Sequence, residues 1–117
     1  MTVAEHLRRL KQATNAEAAA VVNRDGRVLA ADLPTSVSQD TFSIMCAAIL
    51  GAGTTAATEL GHGAPRRVRL ESDDGMILIR EVGRRAMLIL VVGSAQAPSA
   101  LEAEIAHFVA SFGKEFE

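Results

Sequence analysis

The sequence has no tryptophan and no tyrosine, and aromatic residues make up 3% of its 117 positions. Proteins that grip single-stranded nucleic acid stack bases on aromatic side chains, and this chain has almost nothing to stack with. Its net charge of −2 gives no broad basic footprint for a duplex. A single cysteine, Cys46, excludes an internal disulfide. His6, His62 and His107 lie far apart, with neither ligand spacing nor a cysteine pair between them, so no metal site is expected. The N-terminus carries Glu5, Arg8 and Arg9 at helical spacing where a signal peptide would carry an apolar run. A cytoplasmic, single-domain protein over residues 1–117 is the expectation.

The most informative absence is local. From Thr41 to Thr58 there is no charged residue; Asp40 precedes the stretch and Glu59 follows it. The stretch reads as a helix, and a surface helix normally keeps a charged face toward water. At 100° per residue, Phe42, Met45, Cys46, Ile49, Gly53, Ala56 and Leu60 share one stripe, the expected core face. Ile44, Ala47, Ala48, Gly51, Thr54, Thr55 and Thr58 lie opposite. Ala47, Gly51 and Thr55 stack along one line of that second face, and small residues so spaced let another backbone approach closely. Self-association is the favoured reading, with a covering loop as the alternative. A membrane span is disfavoured: four threonines and two glycines dilute the stretch, and no Lys/Arg cluster flanks it.

What is present orders the rest of the chain. Thr2 with Glu5 forms a capping box for a first helix that stops near Asn15. Ala18 to Arg24 reads as a strand, Asp25-Gly26 as a hairpin turn, and Arg27 to Ala31 as the return strand. Leu33 to Val37 is a loop, and Ser38 or Asp40 caps the uncharged helix, which ends at Gly61. Arg67 to Glu71 alternates, with Val68 and Leu70 on one side, as a half-buried or edge strand does. Asp74-Gly75 marks a second turn before a strand from Met76 to Val82. Gly83 and Arg84 turn into Ala86 to Val92, apolar enough for a central strand covered on both faces. Ser99 and Glu102 cap a last helix whose stripe is Leu101, Ile105, Phe108, Val109, Phe112 and Phe116. The expected fold is α+β: a five-stranded antiparallel sheet, order α-β-β-α-β-β-β-α, with helices on both faces. The first and last helices share one face, and the uncharged helix lies alone on the other.

This order resembles the roadblock / dynein light chain family. The resemblance is carried by the Asp25-Gly26 hairpin, the small-residue helix from Asp40, Asp74-Gly75 before Met76 to Val82, and Gly83-Arg84-Arg85-Ala86 leading into Leu88 to Val92. It implies a profilin-like sheet and a non-catalytic dimer whose second helices pack side by side and whose third strands pair. Ile44, Ala47, Ala48, Gly51, Thr55 and Thr58 would then face the partner copy, with Arg67, Val68, Arg69, Leu70 and Glu71 on the paired strand. Glu71 of one copy would meet Arg67 of the other. The resemblance further implies a regulator or adaptor of small Ras-like GTPases, with no cofactor. A small-ligand sensor of similar fold is the alternative.

Other candidate chemistry is thin. Gly51-Ala52-Gly53-Thr54-Thr55 lacks the Lys-Ser/Thr pair of a phosphate loop and falls inside a helix. Cys46 reads as a small buried hydrophobe. No local Ser-His-Asp or Cys-His spacing suggests an enzyme. The arginines form two groups, Arg66, Arg67 and Arg69, and Arg80, Arg84 and Arg85. They serve either as charges protecting a sheet edge or as a surface for an anionic partner; Arg66, Arg80, Arg84 and Arg85 are the partner-binding candidates.

Overall fold

The computed structural model describes residues 2–93 and 98–113. Its elements are α1 (Val3–Thr14), β1 (Ala18–Asn23), β2 (Val28–Asp32), α2 (Gln39–Glu59), β3 (Arg67–Ser72), β4 (Gly75–Val82), β5 (Ala86–Gly93) and α3 (Pro98–Phe112). The strands form one sheet in the order β2-β1-β5-β4-β3, and every pairing is antiparallel. The expected fold class is the observed one, and its topology is profilin-like.

β5 is the centre. Ala86, Met87, Leu88, Ile89 and Leu90 are fully buried, because alternate side chains of a strand point to opposite faces and both faces are covered. Leu88, Leu90 and Val92 join Val21, Leu78 and Val82 beneath α1 and α3, where Leu7, Leu10, Leu101, Ile105, Phe108 and Phe112 complete the larger cluster. Met87 and Ile89 join Ala20, Val22 and Ile79 on the other face, against Cys46 and Leu50 of α2. Two helices therefore cover one face and a single helix covers the other.

Local chemistry fixes the element ends. Thr2 Oγ1 accepts from the Glu5 N–H at 3.1 Å, and Asn15 closes α1 in the left-handed region at φ 55°. Ser38 caps α2, its Oγ accepting from the Thr41 N–H. The far end is a Schellman motif: the His62 N–H donates to the Ala57 carbonyl and the Gly61 N–H to the Thr58 carbonyl, both at 2.9 Å. The Ser99 side of the last capping box and Phe116 lie outside the described side chains.

Two turns differ in detail from expectation. The first is a three-residue loop: the Gly26 N–H donates to the Asn23 carbonyl, and the Asn23 N–H to that of Arg27. Gly26 has φ 94°, and a Cβ there would come within 3.0 Å of Ile44 Cα, so the hairpin tip is seated on α2. The second turn falls on Asp73 and Asp74, not Asp74-Gly75, since Ser72 pairs with Gly75. Gly75 is required for a different reason: a Cβ there would sit 2.3 Å from the Val92 carbonyl oxygen of the neighbouring strand.

Gly26→Ala is expected to destabilise the domain by about 1–3 kcal/mol through backbone strain and the clash with Ile44. Gly75→Ala is expected to cost more, because the obstructing atom is backbone. Urea unfolding of both variants beside wild type measures this; an unchanged midpoint for Gly75→Ala would contradict the close approach of β4 and β5.

Candidate functional site

Two uncovered surfaces meet on the α2 side of the sheet: the outer face of α2 and the free edge of β3. α2 is seated differently from the wheel expectation. Its buried line is Ser43, Cys46 and Leu50, with Phe42, Ala47 and Ile49 packed partly against the same cluster. Met45, assigned to the core face, is 53% exposed, and Leu60 is 72% exposed. The helix is rotated by roughly 70° from the assigned face. Ser43, Cys46 and Leu50 are the most buried, at 2% exposure or less, while bulky Phe42 and Ile49 flank them. Ala47 and Thr54 turn partly inward as a result, whereas Ile44, Ala48, Gly51, Thr55 and Thr58 are exposed.

The exposed face of α2 carries no charge from Thr41 to Thr58. Ile44 stands out from it at 53% exposure. A Cβ added to Gly51 would have nothing within 4 Å. The threonine hydroxyls are turned inward along the helix: Thr54 to the Leu50 carbonyl at 2.8 Å, Thr55 to Gly51 at 3.1 Å, Thr58 to Thr54 at 2.9 Å. This back-bonding satisfies the hydroxyls within the helix. By length and composition α2 does reach the range of a membrane-crossing helix, contrary to the expectation from its threonines and glycines. In this fold its inner line packs on the sheet.

Among the described residues β3 pairs with β4 alone. Val68 packs partly against the α2-side cluster, and Leu70 is exposed. Arg67 is bonded to Glu102 of α3, and Arg69 Nη1 lies 3.9 Å from Glu71 Oε1. Both charges placed on a cross-copy pair, Arg67 and Glu71, are thus engaged inside their own chain.

The arginines regroup. Arg80 stands opposite Arg67 in the β3–β4 register, and its Nε is buried with no hydrogen-bond partner among the described residues. Arg84 and Arg85 stand on the turn between β4 and β5. They line one depression with Asn23, Arg24, Asp25 and Arg27 from the first hairpin, where the Arg24 N–H donates to the Arg85 carbonyl at 3.1 Å. Arg24 and Arg27 were missed from sequence because only the β1–β5 pairing brings the two turns together.

Burial pushes the Cys46 thiol up to about 11, since the thiolate would have to form against the apolar α2-side cluster. Gly51 to Thr55 lies inside α2. His6 packs edge-on against Phe112, ring centroids 4.4 Å apart. Among the described residues no three His, Cys, Asp or Glu side chains are grouped as metal ligands.

An antiparallel sheet with two helices on one face and one alone on the other defines a profilin-like fold. The chain belongs to the Roadblock/LC7 domain family, whose profile matches residues 2–92. It is 33% identical over 70 residues to an uncharacterised protein of Methanocaldococcus jannaschii, MJ0310, the aligned part covering 60% of this chain and 61% of that one. The chain therefore spans under two thirds of that relative. Among solved structures it superposes on Myxococcus xanthus MglB with a TM-score of 0.92 at 16% identity, over 97% of this chain and 94% of that one. A Roadblock/LC7 domain from Streptomyces avermitilis gives 0.88 at 21% identity, over 96% and 95%. At these identities the likeness is one of fold.

Cys46 is expected to resist thiol reagents in the native state at pH 8 and to react on unfolding. The raised pKa favours the neutral thiol in the folded chain. Its contribution to stability is therefore complete below pH 9 and is lost as pH rises from 9.0 towards about 11. Thiol titration with and without denaturant, and urea midpoints of wild type and Cys46→Ala across that window, check it; fast labelling of the native protein would contradict the burial.

Proposed function

We propose that this chain is a non-catalytic, cytoplasmic homodimer that binds and regulates a small Ras-like GTPase. One observation carries the dimer: the uncharged outer face of α2 stands exposed beside the unpaired edge of β3. Exposed apolar patches of this kind mark interaction sites. Burying the exposed halves of Ile44 and Met45 would contribute roughly 1 kcal/mol each. A second α2 against Ile44, Ala48, Gly51, Thr55 and Thr58, with Ala47 at the inner margin, would complete the half-covered layer. Antiparallel pairing of β3 with its copy over Arg67, Val68, Arg69, Leu70 and Glu71 would satisfy the free edge. Arg67 and Glu71 need not exchange partners for this, because their own chain holds them.

The GTPase rests on the family resemblance and on exposed arginines. Arg66, Arg84 and Arg85 are exposed, and guanidinium groups suit carboxylate or phosphate surfaces. Arg80 is half-buried next to Arg67 and contributes from beneath. The hollow beside β3 and β4, about 280 Å³, and the depression at the arginine turns, about 360 Å³, both sit at the bottom of the usual range for small-ligand pockets, so a ligand sensor is the weaker reading.

Gly51→Leu is the clean test of the dimer. A Cβ at this position has no neighbour within 4 Å among the described residues, and leucine should raise helix stability by roughly 0.8 kcal/mol, yet it fills the seam. Light scattering is expected to show a dimer for wild type and a monomer or weakened dimer for the variant, with a higher melting temperature for the variant only at dilutions where both are monomeric. A wild type that is monomeric at tens of micromolar rejects the dimer. For the partner, Arg84→Glu with Arg85→Glu is expected to lower affinity for a Ras-like GTPase of the same genome at least about tenfold, or about 1.4 kcal/mol. Calorimetry in both nucleotide states measures it. Unchanged affinity removes these arginines from the interface, and no binding to any such GTPase rejects the regulator.

A further inference from the structure

The two ends of the sheet carry opposite charge. The strand registers put Asn23, Val28, Arg67, Val82 and Ala86 at one end, and Ala18, Asp32, Ser72, Gly75 and Gly93 at the other. The eight residues of β5 separate the ends by roughly 25 Å. At the first end Arg24, Arg27, Arg84 and Arg85 line a depression of about 360 Å³. The acids there are already committed. Asp25 Oδ1 accepts from the Arg27 N–H at 3.1 Å, and Glu81 takes Arg24 at 3.3 Å.

At the opposite end the hollow of about 280 Å³ has an apolar floor, Leu70, Met76, Ile77 and Val91, and a rim bearing Glu17, Glu71 and Asp74. Among the described residues no lysine or arginine lines it. An apolar floor with carboxylates at its rim matches an arginine side chain along its whole length, the aliphatic stem on the floor and the guanidinium on the rim.

The geometry points to a contact between copies of this chain, in which the arginine end of one docks on the acidic end of the next. Both halves of the contact are present on one molecule, so the occupant is the chain itself. The contact is heterologous and does not close on itself, so it builds open chains of copies. It does not need the α2 dimer. One consequence does rest on that reading: copies joined antiparallel through β3 point in opposite directions, so each side of the dimer shows one basic and one acidic end. Two dimers would then meet through two such contacts at once, and the second would form at high effective concentration.

Sedimentation velocity on wild type over a concentration series, at about 20 mM and about 300 mM salt, tests the contact, since screening shortens with salt. At high salt the base species is expected, a dimer if the α2 reading is right and a monomer if it is not. At low salt the weight-average mass should rise at least about twofold above that species and keep rising with concentration, as isodesmic growth of open chains does. Arg27→Glu with Arg84→Glu gives two acidic ends, and Glu17→Lys with Asp74→Lys gives two basic ends. Each variant alone is expected to stay at the base mass at low salt, and their equimolar mixture to regain the higher mass. Melting curves matching wild type confirm that each variant folds. Absence of a salt-sensitive mass increase in wild type overturns the contact. Persistent growth of either variant, or failure of the folded mixture to recover, overturns the pairing of these two ends. Gly51→Leu at high salt reports separately on the α2 dimer.

Discussion

The burial of β5 on both faces is the constraint on which the rest depends. A strand whose side chains are apolar on both sides must have a layer of structure on each. The described residues form three helices to supply those layers. α1 and α3 together cover one face with Leu7, Leu10, Leu101, Ile105, Phe108 and Phe112. The opposite face receives α2 alone. One helix spans about 10 Å with its side chains, whereas five strands at roughly 4.8 Å spacing are wider. The half-exposed apolar groups of Val68, Ile77 and Leu70 toward the β3 edge follow from that mismatch. So does the demand for something beside α2.

The composition bears on how strongly that demand acts. With almost no large aromatic side chains, the core is filled by alanine and aliphatic residues: Ala18, Ala19, Ala20 and Ala86 occupy central sheet positions at 5% exposure or less. Each buries little area, so each contributes little. A domain built this way gains more from covering an extra apolar face than one anchored by tryptophan. The uncharged α2 face and the alanine-rich core are in this sense one design: burial left out of the monomer is available between copies.

Features decided within a few residues were legible in the sequence. Thr2, Asn15, Ser38 and Gly61 mark helix ends through hydrogen bonds that span at most five positions, and the structure has each of them. The element order and the two-layer arrangement followed from these marks and from strand polarity. Features decided by tertiary approach were not legible. The wheel grouped α2 residues by hydrophobicity and so assigned Met45 and Leu60 inward, but the way the helix seats on the sheet turns Ser43, Cys46 and Leu50 inward instead. The company that Arg24 and Arg27 keep with Arg84 and Arg85 was hidden for a similar reason. Arg24 and Arg84 are sixty positions apart and become neighbours only through the register that pairs Asn23 with Ala86.

The same distinction changes what the threonines of α2 mean. Counted by composition, Thr54, Thr55 and Thr58 are polar and make the helix look wettable. In the structure each hydroxyl donates to the carbonyl four residues earlier, so its donor is already satisfied, and the γ-methyl remains as an apolar surface. A face built from alanine, glycine and back-bonded threonine is therefore smooth and weakly hydrated without being bulky. Leucine or isoleucine at those positions would be equally apolar but would hold a neighbouring helix away. Close approach of a second backbone needs a face both dry and shallow, and from Ala48 to Thr58 the outer side of α2 meets both conditions, with Ile44 as the one large apolar side chain at its N-terminal end.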